Sequence, residues 1–319
     1  MEHIPVLLNE TLALLNLKPG MTVVDGTLGG GGHASAILER ITPGGRLIGI
    51  DRDEFALGQA RERLKAFSNV EYVHGNFKDI KSILGMRDIK GIDGAVLDLG
   101  VSSFQIDQCN RGFSYKQDSR LDMRMNKEDK TCAADIVASY AQRDLERIFR
   151  EYGEERWAAR IAEFIVRERS QRPITTTTDL VGVIKRAVPS GARKDGPHPA
   201  RRCFQALRIE VNGELDAIKT ALSDFVDVLN EGGRLAVITF HSLEDRIVKQ
   251  EFRRLANPCE CPSSFPICVC GKVSAGRVVT GKPILPTETE NEENSRAHSA
   301  KLRAFEKRTP LKSGSSRKA

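Results

Sequence analysis

The sequence predicts an α/β fold: a mostly parallel sheet with helices on both faces, interrupted by an all-helical insertion. Three observations carry this. Apolar strands alternate with helical stretches from residue 22 to 100, and three of the strands end in an acid. The first strand runs into a glycine-rich turn, Asp25-Gly26-Thr27-Leu28-Gly29-Gly30-Gly31-Gly32, and then into a helix from His33. A block of roughly 100 helical residues follows the fourth strand before a further strand, Arg234 to Phe240, resumes the pattern.

Taken in order, residues 5–17 form an apolar helix stopped by Lys18-Pro19-Gly20. Thr22 to Val24 favour a strand that leads to Asp25. The helix from 33 to about 40 ends before Pro43-Gly44-Gly45, and residues 46–51 form a buried strand tipped by Asp51. A helix is expected over 53–67, from Phe55, Ala56, Ala60 and Leu64 near helical spacing. Residues 70–74 are a third strand running toward Phe77, and 92–100 a fourth carrying Asp98. In such sheets ligands bind beyond the carboxyl ends of the strands, the edge that holds Asp25, Asp51, Phe77 and Asp98.

Residues 101–125 are polar and irregular. Helices are expected over 143–152, over 154–170 and over 177–187, the last capped from Thr177-Thr178-Asp179. Pro189, Pro197 and Pro199 mark a loop. One long helix is expected over 203–230, stopping at Glu231-Gly232-Gly233. A late strand lies within 296–307, and the Ser-, Gly- and Lys-rich stretch from Thr309 is expected to be disordered. No internal repeat is present. The expected division is a core of 1–107 with 208–308, an inserted helical domain of 108–207, and a basic tail of 309–319.

Composition excludes several classes. With 319 residues, 40% hydrophobic and 29% charged, the chain is ordinary globular material. It has no apolar run of about 18 residues, and Met1-Glu2-His3-Ile4-Pro5 lacks the basic start of a signal peptide. Seven cysteines, four of them within 259–270, do not form a secreted disulfide framework. A cytoplasmic protein is expected. The net charge of +6 is uneven: residues 143–202 carry +5 and 277–319 another +5. Two basic regions on a slightly acidic remainder suggest a polyanion partner, solvated helix faces being the alternative.

The glycine turn has two candidate ligands. Gly29-x-Gly31-x-x-Ala34 matches the dinucleotide fingerprint, with Asp51 as the following acid. Asp25 at the strand tip would repel a pyrophosphate. S-adenosylmethionine has no phosphate; its ammonium suits an acid at the first tip and its ribose hydroxyls suit Asp51. On that ground it is the favoured ligand. Cys259, Cys261, Cys268 and Cys270 form Cys-x-Cys…Cys-x-Cys, a tighter spacing than the usual zinc site, and no metal is assigned from it.

Several motifs stand in order: Asp25-Gly26-Thr27 with Gly31-Gly32-His33, Ile50-Asp51-Arg52-Asp53, His74-Gly75-Asn76-Phe77, Leu97 to Ser103, Leu121-Asp122-Met123-Arg124-Met125, Tyr152-Gly153-Glu154-Glu155-Arg156 and Phe240 to Arg246. Together, over residues 3–307, they resemble the RsmH (MraW) family of bacterial methyltransferases. The resemblance implies a Rossmann-like, S-adenosylmethionine-dependent core with an inserted helical substrate-recognition domain. It implies methylation at N4 of a cytidine in the decoding region of small-subunit (16S) ribosomal RNA, and hence the small ribosomal subunit as partner. It also implies that Gly31, Gly32, His33, Asp51, Phe77, Asp98 and Gln105 line the cofactor pocket.

The exocyclic N4 is a poor nucleophile because its lone pair is delocalised into the ring. An acceptor for its proton would localise that pair. Asp98, with the loop to Ser103, is the first candidate, and His241 at the end of the resumed strand is the second. The Ser/Asp-Pro-Pro-Tyr/Phe motif of many amino-group methyltransferases is absent from the sequence. Arg193, Lys194, Arg201 and Arg202 are the expected RNA contacts, through phosphates rather than bases. A methyltransferase of another RNA, a protein or a small molecule, and an NAD-dependent oxidoreductase, are the alternatives.

Overall fold

The computed structural model describes residues 5–101, 105, 110–193, 198–262, 265, 269–294 and 296–309. The chain divides into two compact units, residues 1–100 with 215–319, and residues 101–214. The units change over at 100/101 and 214/215, where the sequence placed the boundaries at 107/108 and 207/208.

The first unit holds one sheet, of strands β1 (Thr22–Asp25), β2 (Arg46–Asp51), β3 (Val70–His74), β4 (Ile92–Asp98), β5 (Leu229–Thr239), β6 (Gly276–Val278) and β7 (Lys301–Lys307). Their order is β3-β2-β1-β4-β5-β7-β6. β1 pairs in parallel with both β2 and β4, Val23 standing opposite Leu47 and Gly94. β7 runs antiparallel to β5 and β6. The central strands are near-continuous apolar runs because both faces are covered: Val23, Val24, Leu47, Ile48, Val96, Leu97 and Val237 are all fully buried. The chain winds outward from β1 to β3, then reverses to β4 and β5. The carboxyl ends of β1 and β4 are therefore neighbours at a topological switch point.

Three expectations are corrected, and two elements were not foreseen. The single helix over 203–230 is two, Ala200–Asn212 and Glu214–Val228. Gly213 separates them, with φ 58 in the left-handed region that ends helices. Glu231-Gly232-Gly233 does not precede the fifth strand but lies within β5. An irregularity in its pairing with β4, between Ile92 and Gly94, absorbs the extra residues. The helix expected over 53–67 stops at Arg63. The short strand β6 and the helix Glu288–Glu293 were not expected. Residues 310–319, the body of the expected disordered tail, lie outside the described residues.

The second unit packs the helices Ala133–Ser139, Gln142–Glu151, Ala158–Arg169, Thr177–Ala187 and Ala200–Asn212 around one core. Helical spacing builds it: Leu145, Ile148 and Phe149 are fully buried on one helix, Ile161 and Ile165 on the next. The polar stretch before these helices is tied to itself. Asp122 and Arg124 form a two-pronged pair at 2.8 and 2.7 Å. Arg111, almost fully buried, donates to the carbonyls of Arg124 and Met125. Asn212 donates to the Met123 carbonyl and accepts from the Met125 N–H, both at 2.8 Å.

Candidate active site

The site is built at the carboxyl edge of β1, β2 and β4. Each strand places one aspartate there, since each ends at the residue after its buried apolar run. Between β1 and the helix Gly32–Ile41 the chain turns on itself. Thr27 N–H donates to Asp25 Oδ1 at 3.1 Å, Leu28 N–H to the Ile50 carbonyl and Gly31 N–H to the Leu28 carbonyl. Gly31 caps the helix with φ 77, a conformation that disfavours any side chain. At Gly26 a Cβ would stand 2.4 Å from the Leu97 side chain and 3.1 Å from Phe77 Cβ. The glycine thus lets β4 and the start of the Phe77 turn close in around the strand tip.

Asp51 organises this turn. Its Oδ2 accepts from Gly29 N–H and its Oδ1 from Asp53 N–H, both at 2.8 Å. Burial lifts its carboxyl to about 6, against the pull of those N–H groups. Asp25 is buried and lifted to about 7, first by desolvation, with the charge of Asp51 adding to it. Asp98 is lifted furthest, to about 8, by burial and then by the charges of Asp25 and Glu244. Its backbone N–H donates to the Thr27 hydroxyl at 2.6 Å. Its Oδ2 lies 3.8 Å from His33 Nδ1, while Oδ1 has no hydrogen-bond partner among the described residues. His33 is itself seated by Nε2 against the Val6 carbonyl at 3.1 Å.

Three desolvated carboxylates around one switch point are poised for a cation or for hydroxyl donors. A pyrophosphate would meet them with like charge. The structure thus brings together Gly31, Gly32, His33, Asp51, Phe77 and Asp98 in the first unit. Gln105 falls in the second unit, where it is buried.

His241 has a local task. It is the N-cap of the helix Ser242–Ala256, and its Nδ1 accepts from Glu244 N–H at 3.4 Å. That leaves Nε2 to carry the proton of the neutral ring, 3.1 Å from Glu244 Oε1. Glu244, fully buried, closes the box by accepting from the N–H groups of Phe240 and His241. Glu244 is the residue of this edge that the sequence reading did not single out, whereas Asp25 was placed there as the acid suited to the cofactor's ammonium. Asp25 was legible as a strand-tip acid. Glu244 had a signal too, as the acid three residues beyond a capping position, but that signal speaks of a helix start and not of a charge felt by Asp98.

Of the expected RNA contacts, Arg201 and Arg202 are exposed in the first turn of the helix Ala200–Asn212. Arg193 ends a short 3-10 turn, and Lys194 lies outside the described residues.

Comparison with known proteins decides the family. The model of the MraW methylase family matches residues 1–308. The chain belongs to the MraW methylase family. Ribosomal RNA small subunit methyltransferase H of Clostridium botulinum (strain Loch Maree / Type A3) is 53% identical over 306 residues, covering 96% of this chain and 99% of the relative. Ribosomal RNA small subunit methyltransferase H 2 of Agathobacter rectalis is 52% identical over 308 residues, covering 96% and 98%. Among solved structures, an rRNA methylase from Streptococcus thermophilus is a distant likeness, at 12% identity and a TM-score of 0.42, covering 94% of this chain and 93% of that one. Within the MraW methylase family the carboxylate-lined switch point is thus the candidate methyl-transfer site.

Proposed function

We propose that this protein transfers a methyl group from S-adenosylmethionine to the exocyclic N4 of a cytidine in 16S ribosomal RNA, near the decoding site. The observation that carries this is family membership along almost the whole chain, with relatives named as small-subunit ribosomal RNA methyltransferases at 53% identity. The reading sets the protein in the cytoplasm with the small ribosomal subunit as its partner. No described helix is long and apolar enough to cross a membrane.

The residues at the switch point fit the cofactor. When bound, S-adenosylmethionine supplies an electrophilic methyl on a positively charged sulfur. Asp25, Asp51 and Asp98, all lifted by burial, supply negative charge that such a cation stabilises. Asp51 retains lone pairs for ribose hydroxyls beyond the two N–H groups it already accepts from. Gly31 and Gly32 leave the room that the Leu64 and Pro5 side chains occupy beside the turn, and Phe77 Cβ lies 3.1 Å from where a Cβ on Gly26 would stand.

The chain's own contribution to chemistry is placement and proton transfer. Holding nucleophile, methyl and leaving sulfur in line supplies much of the barrier reduction. Asp98 is the proton acceptor. Its Oδ1, buried and without a hydrogen-bond partner among the described residues, has lone pairs to accept an N4–H, and its lifted pKa of about 8 matches a base that works near neutral pH. His33 beside Oδ2 positions the carboxylate. His241, held as a helix cap at Nδ1, is a positioning residue for Glu244. The target base leaves its stack to reach the site, and the second unit supplies phosphate contacts through Arg193, Lys194, Arg201 and Arg202.

Mass mapping of 16S RNA tests the reading. RNA from cells lacking the gene should miss one methyl on a single decoding-region cytidine, and purified protein with S-adenosylmethionine should restore it on isolated small subunits. An unchanged mass map would refute it.

A further inference from the structure

The stretch 257–274 has no part in the switch-point site. The chain leaves the helix Ser242–Ala256 and returns at β6, and the two arms are closed by Ala275 N–H donating to the Leu255 carbonyl at 2.9 Å. Its described residues form neither helix nor strand. Among the described residues, Phe265, Val269 and Val273 are 46%, 72% and 63% exposed. A loop of this length whose described residues have neither secondary structure nor a core calls for another source of order.

The cysteines supply the means. The sulfurs of Cys259, Cys261 and Cys270 all lie within 4.8 Å of one another, although Cys270 is far along the loop from the other two. A tetrahedral zinc ion with bonds of about 2.3 Å sets its sulfurs roughly 3.8 Å apart, so the three need close by about an ångström at most. A backbone N–H already points at one of them: Val269 N–H donates to Cys261 Sγ at 3.3 Å. Glu260, between the first two cysteines, pairs with Lys272, two residues beyond the third, at 2.5 Å. Both contacts tie the same two arms together, yet an exposed ion pair contributes little by itself.

We propose that Cys259, Cys261 and Cys270 bind one zinc ion as thiolates, and that this ion takes the place of a core for the loop. Three soft thiolates select zinc over harder divalent ions, and a water completes the four-coordinate shell. On binding, three S–H bonds are exchanged for three S–Zn bonds and the protons pass to solvent. The metal is structural and lies outside the methyl-transfer chemistry. Cys268 lies outside the described residues and is not assigned to the site. The one-residue spacing within Cys259-x-Cys261 argued against zinc; the convergence of Cys270 on that pair is what the spacing could not reveal.

The test uses the full chain purified under reducing conditions. Elemental mass spectrometry should find about one zinc per chain. After chelation, titration with cobalt(II) should give the near-ultraviolet thiolate-to-metal band and the visible bands of a tetrahedral ion. In the triple variant Cys259→Ser/Cys261→Ser/Cys270→Ser, metal content should fall at least about tenfold, while S-adenosylmethionine affinity stays within about twofold, reporting an intact core. If the triple variant fails to fold, Cys259→Ser alone should lower the thiolate band by about a third, one ligand of three. Zinc-free protein whose cobalt complex lacks the thiolate band would overturn the proposal. So would wild-type zinc content in the triple variant, or stoichiometric iron in place of zinc.

Discussion

Replacing Asp51 by alanine probes the cofactor site most directly. A ribose hydroxyl donating to a carboxylate contributes about 1.5–3 kcal/mol, so two set a ceiling of about 3–6 kcal/mol, with each 1.4 kcal/mol worth tenfold in affinity. Two features of the structure adjust this. Asp51 also accepts from Gly29 N–H and Asp53 N–H, so the variant loosens the glycine turn as well as losing the ribose contacts. Against that, its carboxyl sits at about 6 because burial disfavours the charge, so the free protein escapes a desolvation cost at pH 8 when the group is removed. The net expectation is an affinity for S-adenosylmethionine lowered by about tenfold to a thousandfold, with a melting temperature at pH 8 close to wild type. Asp51→Asn, which keeps one carbonyl acceptor, should fall between. Calorimetric titration of the cofactor beside a thermal melt reads both quantities. An unchanged dissociation constant in a variant that melts like wild type would refute the role of Asp51; a lost melting transition would instead report the turn, and Asp51→Asn would then decide.

The same carboxylates make cofactor affinity depend on pH. In the free protein Asp51, Asp25 and Asp98 hold protons up to about 6, 7 and 8, so their contribution to stability is fully present below the ordinary carboxylate range near 4 and is lost as pH rises through about 8. A bound cation favours the ionised forms; affinity should therefore rise from pH 6 to 8, with proton release visible by calorimetry in buffers of different ionisation enthalpy, and a flat profile would sink the electrostatic reading. Asp98→Asn should lower kcat by about 100-fold or more while cofactor affinity changes less than about tenfold, and wild-type kcat/KM should climb with pH toward about 8; near-normal turnover in the variant would remove Asp98 as the base. Changing Arg193, Lys194, Arg201 and Arg202 together to alanine should weaken RNA binding and flatten its salt dependence, by up to about 0.7 in log–log slope for each single-strand phosphate that is no longer neutralised. Equal slopes in variant and wild type would assign these charges to solvated surface, and a parallel loss of cofactor binding would mean misfolding.

What could be read from the residues follows from how each part of the site is built. Asp51 and Asp98 were legible because a parallel sheet aligns its strand ends, so a terminal acid after an apolar run has a fixed place whatever the loops do. Gly31 was legible for the same local reason, a helix start that needs φ 77. Glu244 was not, because its effect on Asp98 depends on the fifth strand lying next to the fourth, a pairing between residues far apart in sequence. Gly213 shows the opposite limit. Helical propensity continues on both sides of it, and one glycine inside a helical pattern is ordinarily tolerated at about 1 kcal/mol, so only the observed φ of 58 separates the two helices.

His241 joins these two cases. Its position at a strand end made it a candidate base beside Asp98, since any histidine at that edge can face the reacting groups. The structure adds the hydrogen bond that sequence position does not contain: Nδ1 accepts from Glu244 N–H, which leaves the proton of the neutral ring on Nε2. A ring held this way can accept a substrate proton only by giving up its cap. His241→Asn preserves a side-chain acceptor at the N-cap, and so separates the two roles. If His241 is a cap, His241→Asn should keep the melting temperature and turnover within about twofold, whereas His241→Ala loses about 1 kcal/mol of stability. If His241 is the base, both variants lose turnover alike, and the assignment of proton transfer to Asp98 fails with them.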